Sequence, residues 1–476
     1  MAYPELYLLV DGQRLNGTGR RTVPVVNPAT EEVLGELPLA NAADLDVALE
    51  AARRAWPVWR AMGPQLRGRI LRKAADLLRE RGEAIAHLAT MEMGKALVES
   101  RVELNVAADI IEWYAEEGRR AYGRVLPQRT AGVRMTVVKE PVGPVAAFAP
   151  WNFPLGNPAR KLGSALGAGC SVIMKPAEES PGSALAIAQA LVDAGVPAGA
   201  LNVVFGVPAE VSQHLISSPL IRAVHFTGSI PVGKQLTALA AQGMKRTTME
   251  LGGHAPVLVF DDVDVDAVLD LAVASKFRNS GQVCVSPTRF YVQESIYERF
   301  AAGFAARARQ LKVGNGLEDG VRMGPLAHAR RLPAVSSLID AAVQGGARVL
   351  AGAQVIAGKG FFYAPTVLAD LSDSARIMNE EPFGPVALLS PFRDFDEAIT
   401  RANRLPYGLA AYAFTQKARR VNLLGEQIES GMLGINSFNI AAPEAPFGGV
   451  KESGHGSEEG IEGLDACLVT KFITES

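Results

Sequence analysis

From Val142 onward the chain alternates strand and helix twice over, and few architectures accept such an order. Apolar, β-rich runs at 145–149, 171–175, 201–205, 223–227 and 247–251 predict strands. Between them, 158–168, 180–194 and 233–241 predict helices, with Ser180 placed to cap and Pro181 to start the second. Such an alternation builds a parallel sheet with helices on both faces. Its ligands sit beyond the carboxyl ends of the strands. A second set follows, with strands at 257–260, 290–292, 366–368 and 410–414 and helices at 265–275, 296–311, 330–345 and 395–402. No Ser/Pro/Gly-rich linker separates the two sets, and the boundary falls at Gly252-Gly253. A chain of 476 residues is too long for one ordinary core, so two or three domains are expected.

The flanks read differently. Residues 7–37 predict short strands with a hairpin at Asn16-Gly17. Residues 41–60, 64–90 and 95–119 predict amphipathic helices with charged outer faces, the first capped by Asn41. Residues 120–140 predict extended strands with no helix between them, and the alternation at 468–474 predicts an edge strand open to a partner subunit. A net charge of −2 offers no footprint for nucleic acid or an anionic membrane. No apolar run reaches the roughly 18 residues of a membrane span. Three cysteines make no disulfide framework and fit a reducing cytoplasm. Residues 1–13 lack a basic region followed by an apolar core, so no signal peptide is expected. The six histidines form no metal-ligand pair, so no metal is expected.

Chemistry-bearing residues gather where predicted strands end. Cys284 lies in a polar stretch, with Gly281 permitting close backbone approach, Pro287 removing a donor, and Arg278 and Arg289 on either side. That setting is expected to lower the thiol pKa and make a nucleophile; the alternative is a loop cysteine without a role. Asn152, within Pro150-Trp151-Asn152-Phe153-Pro154, reads as an oxyanion donor or a turn asparagine. Glu178, just past a strand and near Lys175, takes ribose hydroxyls or opens a helix. Glu250, before Leu251 and two glycines, is a desolvated general base or a surface glutamate. Glu381, beside Pro382, has a structural alternative as well. Residues 228–235 approach a triphosphate-binding loop, but Gln235 stands where a hydroxyl should hold Mg²⁺. The softer reading is a glycine turn that receives a pyrophosphate at a helix N-terminus. His254 and His455 are the available partners for Cys284 in a thiol hydrolase.

Taken together these stretches resemble the NAD(P)-dependent aldehyde dehydrogenase superfamily, from Val26-Asn-Pro-Ala-Thr30 nearly to the end of the chain. The resemblance rests on Pro150–Pro154, Lys175-Pro-Ala-Glu178, Phe226-Thr-Gly-Ser229, Met249-Glu-Leu-Gly-Gly253, Gly281-Gln-Val-Cys284, Asn379-Glu-Glu-Pro-Phe-Gly-Pro385 and Pro446–Gly454, in that order. It implies an α/β fold with a Rossmann-like cofactor domain (1–119 and 141–252) and an α/β catalytic domain (253–446). A small β oligomerisation arm with the C-terminal segment (120–140 and 447–476) would make a homodimer or homotetramer. It also implies roles. Cys284 would attack the aldehyde, Asn152 and the Cys284 amide would hold the oxyanion, and Glu250 would activate water. Lys175 and Glu178 would bind the adenosine ribose, Ser229 the pyrophosphate and Glu381 the nicotinamide ribose. Trp151, Gly206, Gly228 and Phe383 would complete the cofactor site. NAD would be preferred because Glu178 repels a 2′-phosphate, with NADP accepted because Lys175 softens that repulsion. Glu250 distinguishes the pattern from CoA-acylating dehydrogenases.

Within the superfamily the chain is most similar to ω-semialdehyde dehydrogenases. Arg160 and Arg278 match positions that grip a substrate carboxylate, with Phe447 beside them. Two positions depart from the succinic semialdehyde group: Ser286 stands where many members have a second cysteine, and Ala442 where they have a serine. Cys284-Val-Ser-Pro-Thr288 together with Pro443-Glu444 resembles the 2-oxoglutaric semialdehyde dehydrogenases, which makes that substrate the first expectation and succinic semialdehyde the second.

Overall fold

The structure, a computed structural model, describes residues 3–476; Met1 and Ala2, the head of the stretch read for a leader, lie outside it. Two large sheets carry the molecule. The first has eight strands in the order Gln13–Leu15, Leu8–Val10, Leu201–Val203, Val172–Lys175, Val145–Phe148, Ala223–Gly228, Arg246–Leu251, Gly454–His455. Its five central strands are parallel. The antiparallel pieces at its two sides come from the N-terminus and from a late return of the chain. Val145–Phe148 and Val172–Lys175 are buried throughout, which is why they read as unbroken apolar runs. From Val145–Phe148 the chain first moves outward on one side and then returns to build on the other. The switch point therefore lies where Pro150-Trp151-Asn152 and Gly228-Ser229 leave the sheet side by side.

The second sheet has seven strands in the order Arg348–Ala351, Thr366–Ala369, Val386–Phe392, Pro287–Gln293, Ala255–Val259, Ala410–Phe414, Met432–Ile435, all parallel except the first. A third sheet joins Leu468–Glu475, Arg134–Pro141 and Arg124–Leu126. The C-terminal strand pairs along its whole length with Arg134–Pro141 and leaves Phe472 and Ile473 exposed on the edge. Among the described residues no helix is long and apolar enough to cross a membrane.

Several local expectations are corrected. The stretch 64–90 is two helices, Gly63–Glu80 and Gly82–Met93, because Arg81 leaves helical geometry. Gly82 there sits so close to the next helix that a Cβ would lie 2.9 Å from Leu104. The tight hairpin is made by Asp11-Gly12, both with positive φ, and not by Asn16-Gly17. Helices Pro208–Ser217 and Ala418–Gln427 and strands Val386–Phe392 and Met432–Ile435 were not expected from the periodicity. Ser180 precedes its helix but makes no side-chain cap, whereas Asn41 forms a full capping box with Asp44.

Candidate active site

The helix Val265–Phe277 runs out into Asn279, Ser280 and Gly281, which have positive φ of 50, 54 and 71°. Only glycine fits at 281, where a Cβ would stand 2.0 Å from the carbonyl oxygen of Gly384. A turn follows, closed by the Ser286 N–H donating to the Val283 carbonyl at 2.9 Å, with Cys284 at its first corner. The Tyr412 hydroxyl donates to the Val285 carbonyl at 2.7 Å and holds the turn from beneath.

The expected electropositive bracket around Cys284 does not form. Arg289 points into the interior, where it donates to the His254, Arg401 and Ala402 carbonyls and to the Tyr291 hydroxyl. Arg278 is exposed and lies 5.8 Å over the Phe153 ring. The thiol pKa is therefore not lowered. Burial pushes it up to about 12, against the pull of Arg160, with Glu381 and Glu250 adding to the rise.

Asn152 is buried beside the turn. Its amide donates to the Gln282 carbonyl at 3.2 Å, and its Oδ1 accepts from Asn157 Nδ2 at 3.2 Å. Its own carbonyl accepts from Lys95 Nζ at 2.8 Å and Asn279 Nδ2 at 2.9 Å. Lys95 in turn pairs with buried Glu103, which also accepts the first amides of the helix Gly156–Ala168. Glu250, within Arg246–Leu251, is 2% exposed, and neither carboxylate oxygen has a partner. Burial first and Glu458 second raise its pKa well above the ordinary value, while Lys161 and Arg160 pull the other way. Lys161 Nζ donates to Thr227 Oγ1 and Glu458 Oε1, each at 2.6 Å.

On one side of Cys284 a cavity of about 350 Å³ holds Trp151, Asn152, Glu250, Glu381 and Phe383. It continues past Thr227, Gly228 and Ser229 into a cleft of about 520 Å³ that ends at Lys175 and Glu178. There Lys175 pairs with Glu178 at 2.6 Å, and Glu178 also accepts the Gly206 N–H at 3.2 Å. Glu381 accepts the Gly253 N–H at 3.2 Å and is pushed up to about 8 by burial. A Cβ at Gly252 would lie 2.4 Å from its Oε2, so this glycine admits the carboxylate. The Trp151 ring meets Phe383 edge-on at 5.6 Å.

On the other side of Cys284 lies a tunnel of about 300 Å³, lined by Val98, Val102, Val106, Phe153 and Phe447 and carrying Arg160 and Arg278. Arg160 is not free. Its Nε donates to Glu459 at 2.8 Å, and its guanidinium lies 4.2 Å over Phe447. Burial opposes the Arg160 charge, but Glu459 and Glu458 outweigh it and hold its pKa above the ordinary value. The acid that neutralises Arg160 is Glu459.

The rival readings lose their geometry. Lys234 projects outward to Glu452, so residues 228–235 present no lysine to a phosphate in the cleft. His254 bonds the Ile377 carbonyl and His455 bonds Thr247, neither reaching Cys284. Several site residues escaped the sequence reading: Lys95, Glu103, Lys161, Asn279, Glu458 and Glu459. The one visible signal was Glu458-Glu459, two successive acids flanked by Ser457 and Gly460.

The aldehyde dehydrogenase family model matches residues 15–473. The chain belongs to the aldehyde dehydrogenase family. It is 50% identical, over 98% of its length and 97% of the relative, to the 4-(hydroxymethyl)benzenesulfonate dehydrogenase of Comamonas testosteroni. It is 43% identical, over 98% and 96%, to the NADP(+) succinate-semialdehyde dehydrogenase of Escherichia coli (strain K12). The solved succinate-semialdehyde dehydrogenase of Burkholderia pseudomallei superposes with a TM-score of 0.96 at 43% identity, covering 99% of this chain and 98% of that one. This aldehyde dehydrogenase works with NAD or NADP, and the cleft fits such a dinucleotide. The helix Ile230–Ala241 begins at Ser229 without a side-chain cap, so its first amides face the cleft unclaimed.

Proposed function

We propose that this aldehyde dehydrogenase oxidises an ω-semialdehyde to the corresponding dicarboxylic acid, with 2-oxoglutaric semialdehyde first and succinic semialdehyde second. The observation that carries the chemistry is Glu250, a carboxylate with two unpartnered buried oxygens in the cavity that Cys284 also lines. The Cys284 thiol gives up its proton to solvent water and its sulfur adds to the aldehyde carbon. The alkoxide formed is held by the Asn152 amide and the Cys284 backbone N–H. NAD(P)⁺ supplies, when bound, the acceptor for the hydride that leaves this carbon. What remains on Cys284 is a thioester. Glu250 takes a proton from water, water adds to the thioester, and the acid departs with the thiolate restored. No CoA is needed to release it.

For the cofactor, the reading assigns the adenosine ribose to Lys175 and Glu178 near Gly206. It assigns the pyrophosphate to Gly228 and Ser229, and the nicotinamide ribose to Glu381, which lines the same cavity as Trp151 and Phe383. NAD is preferred because Glu178 meets the ribose edge with a carboxylate. For the substrate, Arg278 is the tunnel guanidinium that forms no ion pair among the described residues. It takes the far carboxylate, while Arg160, balanced by Glu459, contributes orientation over Phe447. A second reading, an aromatic aldehyde bearing a sulfonate, is favoured by the apolar tunnel wall and by the relative from Comamonas testosteroni. The deciding experiment compares kcat/KM for succinic, glutaric and 2-oxoglutaric semialdehydes, 4-sulfobenzaldehyde and pentanal, each with NAD⁺ and NADP⁺. The first reading requires a semialdehyde ahead of the other two. Sulfobenzaldehyde in the lead installs the second reading, and pentanal equal to the anions removes both.

A further inference from the structure

Lys276 is a buried lysine to which the chemistry above gives no task. It lies near the end of the helix Val265–Phe277 and is 1% exposed. Its partners among the described residues are two hydroxyls and not a carboxylate: Nζ donates to Ser286 Oγ at 2.8 Å and to Thr288 Oγ1 at 3.4 Å. Thr288 Oγ1 donates in turn to the Ser286 carbonyl at 3.0 Å. Ser286 is the residue whose N–H closes the turn that presents Cys284. Lys276 therefore grips this turn at its last residue, through the side chain directly and through the carbonyl by way of Thr288.

Taking an ammonium group out of water is costly, and a site that needed only volume would be filled better by a methionine or leucine. The turn has reason to need the tie. It is entered through the left-handed run Asn279-Ser280-Gly281, and such backbone persists only where its surroundings hold it. Burial also pulls the Lys276 pKa down to about 7, with Glu381 acting in the opposite sense.

We propose that Lys276 is a positioning residue for the reaction: by holding the Ser286 hydroxyl it fixes the turn that aims the Cys284 sulfur and backbone N–H at one point between the two cavities. This rests on Cys284 being the nucleophile. The test measures iodoacetamide alkylation, mapped to Cys284 by mass spectrometry, and the NADH burst per titrated active site with succinic semialdehyde. Tm and NAD⁺ affinity are followed alongside, in Lys276→Met, Lys276→Arg, Ser286→Ala and the double variant Lys276→Met, Ser286→Ala. Lys276→Met and Ser286→Ala should each slow alkylation and burst about tenfold, the loss expected for one hydrogen bond to a charged group. The double variant should be no worse than either single one, and Lys276→Arg should recover part of the rate. NAD⁺ affinity should stay within about threefold of wild type, since neither residue lines the cleft. A lysine that only fills the core would lower Tm and leave the rates per active site unchanged, which overturns the proposal. If Lys276→Met does not fold, Ser286→Ala decides alone, and alkylation at the wild-type rate overturns it. Wild-type alkylation that maps away from Cys284 removes the nucleophile assignment and this inference with it.

Discussion

The two sides of Cys284 are built in opposite ways. On the side of Glu250 and Glu381, Asn152, Lys175 and Glu178 stand at or just past the ends of two adjacent parallel strands. Glu250 lies in a third strand of the same sheet, whereas Glu381 comes from the loop before Val386–Phe392. The partnered groups are held by a near neighbour in sequence or by backbone amides. Lys175 pairs with Glu178 three residues on, and Glu381 takes the Gly253 N–H. On the tunnel side the wall combines Val98, Val102 and Val106 of the helix Leu97–Glu117 with Phe153 and Phe447 from elsewhere in the chain. Its paired charges are neutralised in buried ion pairs, one spanning most of the chain and one local. Arg160 meets Glu459, and Lys95 meets Glu103. A side made by strand ends is fixed by the sheet. A side made by helices and a late loop is fixed by buried ion pairs, each of which fails if either partner is removed.

The largest expected effect tests the point where both sides meet. Cys284→Ala should lower aldehyde oxidation by at least about a hundredfold while NAD⁺ still binds, because no cleft residue depends on the thiol. Turnover that survives would move the nucleophile elsewhere. In the free wild-type enzyme, burial holds both the Cys284 thiol and the Glu250 carboxyl above their ordinary values. The Cys284 thiol is then protonated at neutral pH and loses its proton as pH rises. The alkylation rate of Cys284 should accordingly climb steadily from pH 7 to 10, and a plateau by pH 8 would contradict the buried-thiol account.

Next comes the cofactor side. Glu250→Gln should keep a burst of about one NADH per site and lower steady-state turnover by roughly a hundredfold or more, as loss of a general base does. Loss of burst and steady state together would place Glu250 in the activation of Cys284 instead.

The tunnel side gives a smaller but sharper contrast. Arg278→Ala should raise KM for the semialdehydes and cost about tenfold in kcat/KM, leaving pentanal unchanged. Arg160→Ala should harm pentanal and semialdehydes alike and lower Tm, because it strands Glu459 in the interior. If both variants affect only the anionic substrates, Arg160 is a free clamp after all and the contrast between the two sides fails.

The smallest effect lies at the far end of the cleft. Glu178→Ser should narrow the NAD⁺ to NADP⁺ preference by a few-fold, about what one charge beside a paired lysine contributes at a half-exposed site. A wild type with equal or higher kcat/KM for NADP⁺ would show that the Lys175 charge dominates there.

What was legible follows the same division. Most parallel strands of the two sheets read directly from buried apolar runs, Val386–Phe392 and Met432–Ile435 being the exceptions, and the residues at the ends of those strands read with them, because a strand end is defined locally. The sequence by itself therefore determined the α/β architecture, the family and the set of groups around Cys284, Glu250, Asn152, Lys175 and Glu178. It did not determine the electrostatics. Arg289 lies five residues from Cys284 in sequence but turns to the interior, while Glu459 lies 299 residues from Arg160 and touches it. Periodicity and spacing carry no information about such contacts. Only the tertiary structure decided that the thiol is half-buried and not flanked by two free cations, that Arg160 is balanced and Arg278 is not, and that Lys276 lies under the turn. The physical reason is that a charge buried in a low-dielectric interior is governed by whatever the fold packs within a few ångströms of it, and those neighbours come from anywhere along the chain.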